Sequence, residues 1–89
     1  MAQIEFVTKR SGDVVPFAPE RITNAIYRAA VAVGARDRAT ADRLTAQVVA
    51  ALEAQTPPGD YPTIEQIQDT VEKVLIENGH ARVAKAYIL

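Results

Sequence analysis

The chain has 89 residues, the length of one small domain, and we expect a single domain over residues 1–89. Its net charge of −1 gives no global attraction to nucleic acid or to a membrane surface, so any anion site must be local. The absence of cysteine excludes disulfides, zinc–thiolate sites and cysteine nucleophiles. The sequence has neither a signal-peptide pattern nor an apolar run near the roughly 20 residues of a membrane span. We therefore expect a cytoplasmic protein without a membrane partner.

The first 17 residues have the pattern of two short strands joined by a turn. Residues 4–9 alternate in polarity, which places Val7 and Lys9 on the same face of a strand. Residues 10–13 carry turn chemistry, with Gly12 available for positive φ. In a second strand over residues 14–17, Pro16 cannot donate to a ladder, so this strand should lie at an edge or pair through its other side. Because an isolated hairpin is marginal in water, helices are expected to cover it.

Two helices are predicted directly after the hairpin. The first runs over about residues 19–33, since proline suits the first helical position and Gly34 suits a position just past the helix end. The second runs over about residues 38–54, with either Asp37 or Thr40 as its cap. The connection after it, residues 55–60, contains two prolines and a glycine and is expected to be a loop.

Two further helices complete the prediction. The third has the clearest start, because Thr63 and Gln66 fit a capping box, and Gly79 suits its end. A short last helix is expected over about residues 81–88. All four helices have an apolar face at helical spacing, which predicts a mostly α fold with a small β-hairpin. The residues expected to face inward are Ile22, Ala25, Ile26, Ala29, Ala30, Val33, Ala41, Leu44, Thr45, Val48, Leu52, Ile64, Ile67, Val71, Val74, Leu75, Val83, Ala84 and either Tyr87 or Ile88.

Positive charge is concentrated near the hairpin, where the first 28 residues contain Lys9, Arg10, Arg21 and Arg28. If the first helix folds back on the hairpin, its N–H groups and positive dipole end point toward the side of Lys9. Arginine supplies a forked donor for phosphate and lysine a mobile point charge. Val7 would then lie under a base or sugar. The same pattern also fits a solvated basic turn, the commoner case, since it is no Gly-rich phosphate loop.

Other polar groups have simpler interpretations. One face of the third helix carries three acidic residues, Glu65, Asp69 and Glu72. Such a face could provide acid–base catalysis or bind Mg²⁺, but we expect it to be solvated. His80 is expected to be structural or exposed, because no recognisable motif supplies it with a partner. The tyrosines could stack on a base, but packing roles are expected for all three, Tyr27, Tyr61 and Tyr87. No catalytic residue and no metal site is predicted.

Five short segments follow one another in a specific order and spacing. They are VTKRSG (7–12), VPF (15–17), PERI (19–22) followed by Ala25-Ile26, TIEQIQDTVE (63–72) and AKAYI (84–88). Each segment is weak alone, but together, over residues 4–89, they resemble the ATP-cone domain. That family consists of regulatory modules best known from the N-terminus of ribonucleotide reductases.

The resemblance implies a four-helix bundle capped by an N-terminal β-hairpin. It implies a non-catalytic domain that binds ATP or dATP, with Mg²⁺, and controls the overall activity of a larger reductase. The implied partners are the catalytic domain or subunits of that reductase, with a possible homo-oligomer and no nucleic acid. We expect that larger enzyme to be an oxygen-independent or cobalamin-dependent reductase and not an aerobic iron-dependent one. The implied nucleotide-binding residues are Val7, Lys9, Arg10 and Arg21, Ile22 and Ala25 on the base or sugar side, and Gln68 at the base.

The sequence departs from the family pattern at several points. Ala18 stands where the family has Asp, Asn or Ser, and the chain ends at Leu89, where the family continues with an aromatic and a basic residue. It also lacks the cysteine zinc ribbon of the related transcriptional repressor, so we expect the leading domain of a reductase large subunit. The alternative is a degenerate cone that acts as a helical protein-interaction module without nucleotide. A nucleic-acid binder is disfavoured by the net charge and by the lack of a basic recognition helix.

Overall fold

The structure, a computed structural model, describes residues 4–88. Two short strands form an antiparallel hairpin, and four helices follow, so the predicted fold class is confirmed. The elements are β1 (Phe6–Thr8), β2 (Val14–Pro16), α1 (Pro19–Ala32), α2 (Arg38–Gln55), α3 (Ile64–Glu77) and α4 (Ala81–Ile88). The helix bounds agree with the sequence prediction to within one residue.

Both strands are shorter than predicted, since β1 lacks residues 4, 5 and 9 and β2 lacks Phe17. Val7 pairs with Val15 at the centre of the ladder. The Lys9 N–H closes the turn by donating to the Asp13 carbonyl at 2.8 Å, and Gly12 has the predicted positive φ of 91°. Phe17 lies beyond β2, although its N–H still donates to the Glu5 carbonyl at 2.8 Å.

The hairpin is joined to the bundle through the outer side of β1. The Thr8 N–H donates to the Pro62 carbonyl at 3.0 Å, and Thr8 forms an isolated parallel bridge with Thr63. β2 pairs only with β1 in this two-stranded sheet, which leaves Pro16 on an edge strand as predicted. The start of α3 is therefore fixed against the hairpin by backbone hydrogen bonding.

The helices enclose one core, in which α1 and α3 each pack against both α2 and α4. Short connections bring consecutive helices together, as in other helix bundles. The side chains with least exposure are Ile26, Val48, Leu52, Val71 and Leu75. Val7 of β1 belongs to the same cluster and is 5% exposed, so the hairpin contributes to the core. The predicted inner face of α2 is buried at every position.

A buried pair of threonines in the core was not predicted from the sequence. The Thr23 hydroxyl donates to the Thr45 hydroxyl at 2.8 Å, and the Thr45 hydroxyl donates to the Ala41 carbonyl at 2.9 Å. Each buried hydroxyl thus has a partner, which removes most of the cost of burying it. Thr23 lies beside Ile22 and Ile26 on α1, but a polar residue next to an apolar stripe gives no signal for this contact.

The N-termini of the helices are capped differently. Asp37 caps α2 by accepting from the Thr40 N–H at 3.1 Å, which decides between the two predicted caps. The Thr40 hydroxyl also donates to this carboxylate, at 2.6 Å, and this bond, followed by that of the Thr40 N–H, lowers the pKa of the Asp37 carboxyl. α3 has the predicted capping box, formed by Thr63 and Gln66. At α1, by contrast, Ala18 has extended backbone geometry but no side chain that accepts a hydrogen bond.

No helix within residues 4–88 combines the length and the apolar character needed to cross a membrane.

Removing the Thr63 cap tests how much the N-terminus of α3 contributes to the stability of the domain. We expect Thr63→Ala to lower the free energy of unfolding by about 1 kcal/mol, because the Gln66 N–H loses its side-chain acceptor. Urea unfolding followed by circular dichroism measures the change. Thr63→Ser keeps the hydroxyl and should stay within a few tenths of a kcal/mol of the wild type. Equal stability of the Ala and Ser variants would contradict this account.

Supplying the missing α1 cap should have the opposite effect. We expect Ala18→Ser to raise the free energy of unfolding by about 0.5–1 kcal/mol, since the extended backbone at this position already suits an N-cap. Ala54→Ser, at an exposed position inside α2, is the matched control and should not stabilise the chain. If Ala18→Ser stabilises no more than the control, the α1 terminus is not short of a cap.

Candidate functional site

A cleft with a volume of about 550 Å³ opens between the hairpin and the helices. This volume lies within the range of small-molecule sites. The hairpin forms one side, the first turns of α1 and α3 form the others, and α4 closes the end. The lining residues are Val7, Lys9, Val15, Pro16 and Phe17 from the hairpin segment, Ala18, Arg21, Ile22 and Ala25 from the α1 segment, Ile64, Ile67 and Gln68 from α3, and Tyr87 from α4.

Most residues predicted to bind nucleotide line this cleft. They come from the hairpin segment, α1 and α3, and the fold brings α3, which is distant in sequence, beside the other two. They are Val7, Lys9, Arg21, Ile22, Ala25 and Gln68, and Arg10 is the exception. That these residues bind nucleotide remains a prediction.

The base of the cleft is apolar and rigid. Val7, Ile22 and Ile67 line it while belonging to the hydrophobic core, each less than 9% exposed. Their positions are set by close packing, so this surface cannot shift without disturbing the bundle. A flat apolar group, such as a nucleoside base, could lie against it with little rearrangement.

The charged edge of the cleft is positive. Lys9 and Arg21 line it and are both exposed, and none of the described lining residues carries a carboxylate. The folding of α1 against the hairpin brings these two cations to one cleft, as the sequence predicted. In a chain of net charge −1, this edge is a local positive site.

The α1 N-terminus opens on the same cleft. Ala18 and Arg21 line it, and the Arg21 N–H donates to the Ala18 carbonyl at 3.0 Å. Pro19 has no N–H and the Arg21 N–H already has an acceptor, which leaves the Glu20 N–H among the first three residues of α1. Ala18 supplies no side-chain acceptor that would compete with an anion for it. The partial positive charge of the helix terminus therefore adds to that of Lys9 and Arg21.

Arg10 contacts α3 instead of lining the cleft. Its Nε donates to Glu65 Oε2 at 2.9 Å, and its Nη2 donates to Gln68 Oε1 at 3.3 Å. Glu65 is thus an ion-pair partner, not merely part of the solvated face that the sequence predicted. The neighbouring acids Asp69 and Glu72 form no salt bridge in the part of the chain that the structure describes. Within residues 4–88, no group of three or more acidic or histidine side chains is arranged to hold a metal ion.

Several polar residues singled out in the sequence lie away from the cleft. Tyr27 packs beneath the Arg38 guanidinium at 5.3 Å from its ring centroid, and Tyr61 makes an edge contact with Phe6. Arg28 is exposed on α1 outside the lining. The half-buried His80 ends the turn after α3, where its N–H donates to the Leu75 carbonyl at 2.8 Å, in agreement with a structural role.

Tyr87 lines the cleft, although the sequence favoured a packing role for it over contact with a base. It is half-buried at the end of α4, and burial raises the pKa of its phenol above the ordinary value of 10.0. Its spacing of four from the buried Val83 was the available signal, since it places both on one face of α4. Val15 and Phe17 were also detectable, because they alternate along β2 toward the side that Val7 faces.

The raised pKa of Tyr87 predicts a specific alkaline behaviour. Folding favours the neutral phenol, so its contribution to stability is complete below the unfolded-state pKa of about 10 and is lost as pH rises through the folded-state pKa. The tyrosinate absorbance of the wild type and of Tyr87→Phe is measured as the pH is raised, and the difference between the two curves reports Tyr87. We expect the midpoint of this difference curve to lie above pH 10. The Phe variant should also lose less stability between neutral and alkaline pH. A midpoint at or below 10 would contradict the burial of the phenol.

Comparison with known proteins identifies the family. The sequence matches the family model of the ATP cone domain over residues 5–89. It is 41% identical over 91 residues to a vitamin B12-dependent ribonucleoside-diphosphate reductase of Thermoplasma acidophilum, covering 97% of this chain and 11% of that protein.

Two other reductases show similar relationships. A ribonucleoside-diphosphate reductase subunit alpha of Chlamydia trachomatis is 38% identical, covering 93% of this chain and 9% of its own length. An anaerobic ribonucleoside-triphosphate reductase of Salmonella typhimurium is 40% identical, covering 92% of this chain and 11% of its own length. The chain thus spans about a tenth of each relative. The hairpin, the four helices and the match over residues 5–89 together show that the chain belongs to the ATP cone domain family.

Proposed function

We propose that this chain is a non-catalytic regulatory domain that binds ATP or dATP in the cleft between the hairpin and the helices. The observation that carries the proposal is the pairing of an apolar base with an edge whose charges are both positive, Lys9 and Arg21. Family membership supports it, since ATP cone domains in general bind these effectors.

The two sides of the cleft suggest how the ligand is oriented. The base and sugar lie on Val7, Ile22 and Ala25, near Gln68. The phosphates extend toward Lys9, Arg21 and the N-terminus of α1, where the positive end of the helix dipole and two cations favour negative charge. This orientation follows the separation of apolar and charged lining residues.

Mg²⁺ is part of the proposal as a companion of the triphosphate. Magnesium retains several water ligands and commonly binds phosphates together with only one or two carboxylates. The described residues hold no cluster of metal ligands, so the ion would bridge phosphate oxygens. Removing Mg²⁺ should therefore weaken triphosphate binding without unfolding the domain.

The wider role concerns a larger reductase. We propose that residues 1–89 are one domain of such an enzyme, at its N-terminus and in the cytoplasm, where it controls overall activity. The names of the relatives support a vitamin B12-dependent or anaerobic parent, although an ordinary subunit alpha is also matched. Binding regulates only if the nucleotide favours one arrangement of the parent over another. The partners that sense this difference would be the catalytic domain, another subunit or a second copy of the chain.

A second candidate is a degenerate cone that contacts proteins without binding nucleotide. The departure of Ala18 from the Asp, Asn or Ser of the family pattern, at the edge of the cleft, favours it. Calorimetric titration with MgATP and MgdATP separates the two functions. Heat and thermal stabilisation support nucleotide binding, whereas no response at millimolar nucleotide would reject it and favour the interaction module.

Charge removal tests the phosphate placement. We expect Lys9→Ala and Arg21→Ala each to weaken ATP binding by about tenfold, the loss of one charge-assisted hydrogen bond that is partly screened by solvent. Arg28→Ala is the matched control, because Arg28 is an exposed cation of the same helix outside the lining. Adenosine binding should change little in all three variants. Wild-type ATP affinity in both cleft variants would show that the phosphates lie elsewhere.

A further inference from the structure

We infer that Glu65 and Arg10 form a positioning pair that fixes the side-chain amide of Gln68, and that the fixed amide lets the cleft select adenine among purine bases. This inference rests on the proposed nucleotide-binding function. It gives Arg10 a role different from phosphate binding, and it gives Glu65 a role that the sequence did not suggest.

The geometry links three side chains across two elements. Arg10 lies in the hairpin turn and bonds through different nitrogens to Glu65 and Gln68, at 2.9 and 3.3 Å. Glu65 and Gln68 are three residues apart on α3, so they lie on the same helix face. Of the three, Gln68 alone lines the cleft. Any effect of Arg10 and Glu65 on a ligand's base therefore passes through the Gln68 amide.

The chemistry of the guanidinium determines which way the amide faces. Arginine has donors only, whereas an amide has a donor end and an acceptor end. With Oε1 toward Arg10, the contact is a hydrogen bond; turning the amide would place two donors against each other. Glu65 holds the guanidinium by its Nε, which leaves Nη2 directed at Gln68. The Gln68 Nε2 is then the end of the amide that remains to donate to a ligand.

A fixed amide distinguishes two bases of nearly identical shape. Adenine presents an acceptor at N1 beside a donor amino group, and hypoxanthine presents the reverse, a donor at N1 beside a carbonyl acceptor. If the Watson–Crick edge of adenine faces Gln68 in its fixed orientation, Gln68 Nε2 can donate to adenine N1. Gln68 Oε1 already accepts from Arg10, and its second lone pair can accept from the adenine amino group. Hypoxanthine in that placement needs the amide turned. If the Gln68 amide is released from Arg10, it can turn by about 180° and bind either base.

The test compares ATP with ITP in calorimetric titrations of the wild type and Glu65→Gln. We expect the ratio of ATP to ITP affinity to fall by roughly twofold to fivefold in the variant, as for loss of an exposed ion pair. Both ligands carry the same triphosphate, so the effect on triphosphate binding of removing one negative charge cancels in the ratio. Glu72→Gln makes the same charge change on the same helix without an observed contact to Arg10, and its ratio should equal that of the wild type.

A second variant and a second measurement test the inference without relying on Glu65→Gln. Arg10→Met retains an unbranched side chain without donors and should lower the ratio at least as much as Glu65→Gln. Without any ligand, the side-chain NH₂ resonances of Gln68 in nitrogen–proton spectra should shift in both variants and remain in place in Glu72→Gln.

The possible outcomes separate the two proposals. If ATP binds but its preference over ITP is unchanged in Glu65→Gln and Arg10→Met, the positioning role is wrong and the proposed function stands. If the wild type binds neither nucleotide, the proposed function fails and this inference with it. A lowered ratio in both variants, with an unchanged ratio in Glu72→Gln, supports the pair as a determinant of base selection.

Discussion

The cleft depends on how a very small hairpin is held in place. Two strands of three residues are not stable alone in water, so the hairpin requires contacts from outside itself. It obtains them on two sides: Val7 enters the hydrophobic core, and the Thr8 amide bonds to the Pro62 carbonyl. These contacts also fix Lys9 beside the first turn of α1. The same packing that stabilises the hairpin therefore produces the juxtaposition of an apolar surface and positive charge.

Helices α1 and α3, which border the cleft, differ in how their N-termini are capped, and the difference has a physical meaning. Thr63 satisfies the N-terminus of α3 and helps to connect that helix to the hairpin. The N-terminus of α1 has no side-chain cap. A fully capped α1 would be more stable, but its cap would compete with an anionic ligand for the same N–H groups. The α3 terminus is thus capped by a side chain, whereas the α1 terminus, which starts with Pro19 and has the Arg21 N–H bonded to Ala18, leaves the Glu20 N–H to an anion.

The sequence predicted what is local and missed what depends on tertiary approach. The capping box at Thr63 and the inner face of α2 follow from spacing along one helix, and both are confirmed. Charge and strand alternation indicated Val7, Lys9 and Arg21, and the resemblance to a family supplied Ile22, Ala25 and Gln68. The Arg10 contacts with α3 and the hydroxyl pair of Thr23 and Thr45 join residues far apart in the chain. No local pattern encodes these contacts: the spacing along α2 predicts that Thr45 faces inward, but nothing in the sequence identifies its partner or the partners of Arg10.

The bond between Thr8 and Pro62 also has a consequence for how the molecule folds. These residues are separated by more than half of the chain, whereas the helices and the hairpin ladder are formed by residues close in sequence. Contacts at such separation require closure of a long loop, and they slow folding relative to local contacts. The helices can pair before this loop closes, but the cleft has all its sides only when the hairpin has docked. A ligand of the cleft therefore recognises the completed fold and stabilises the whole chain by mass action.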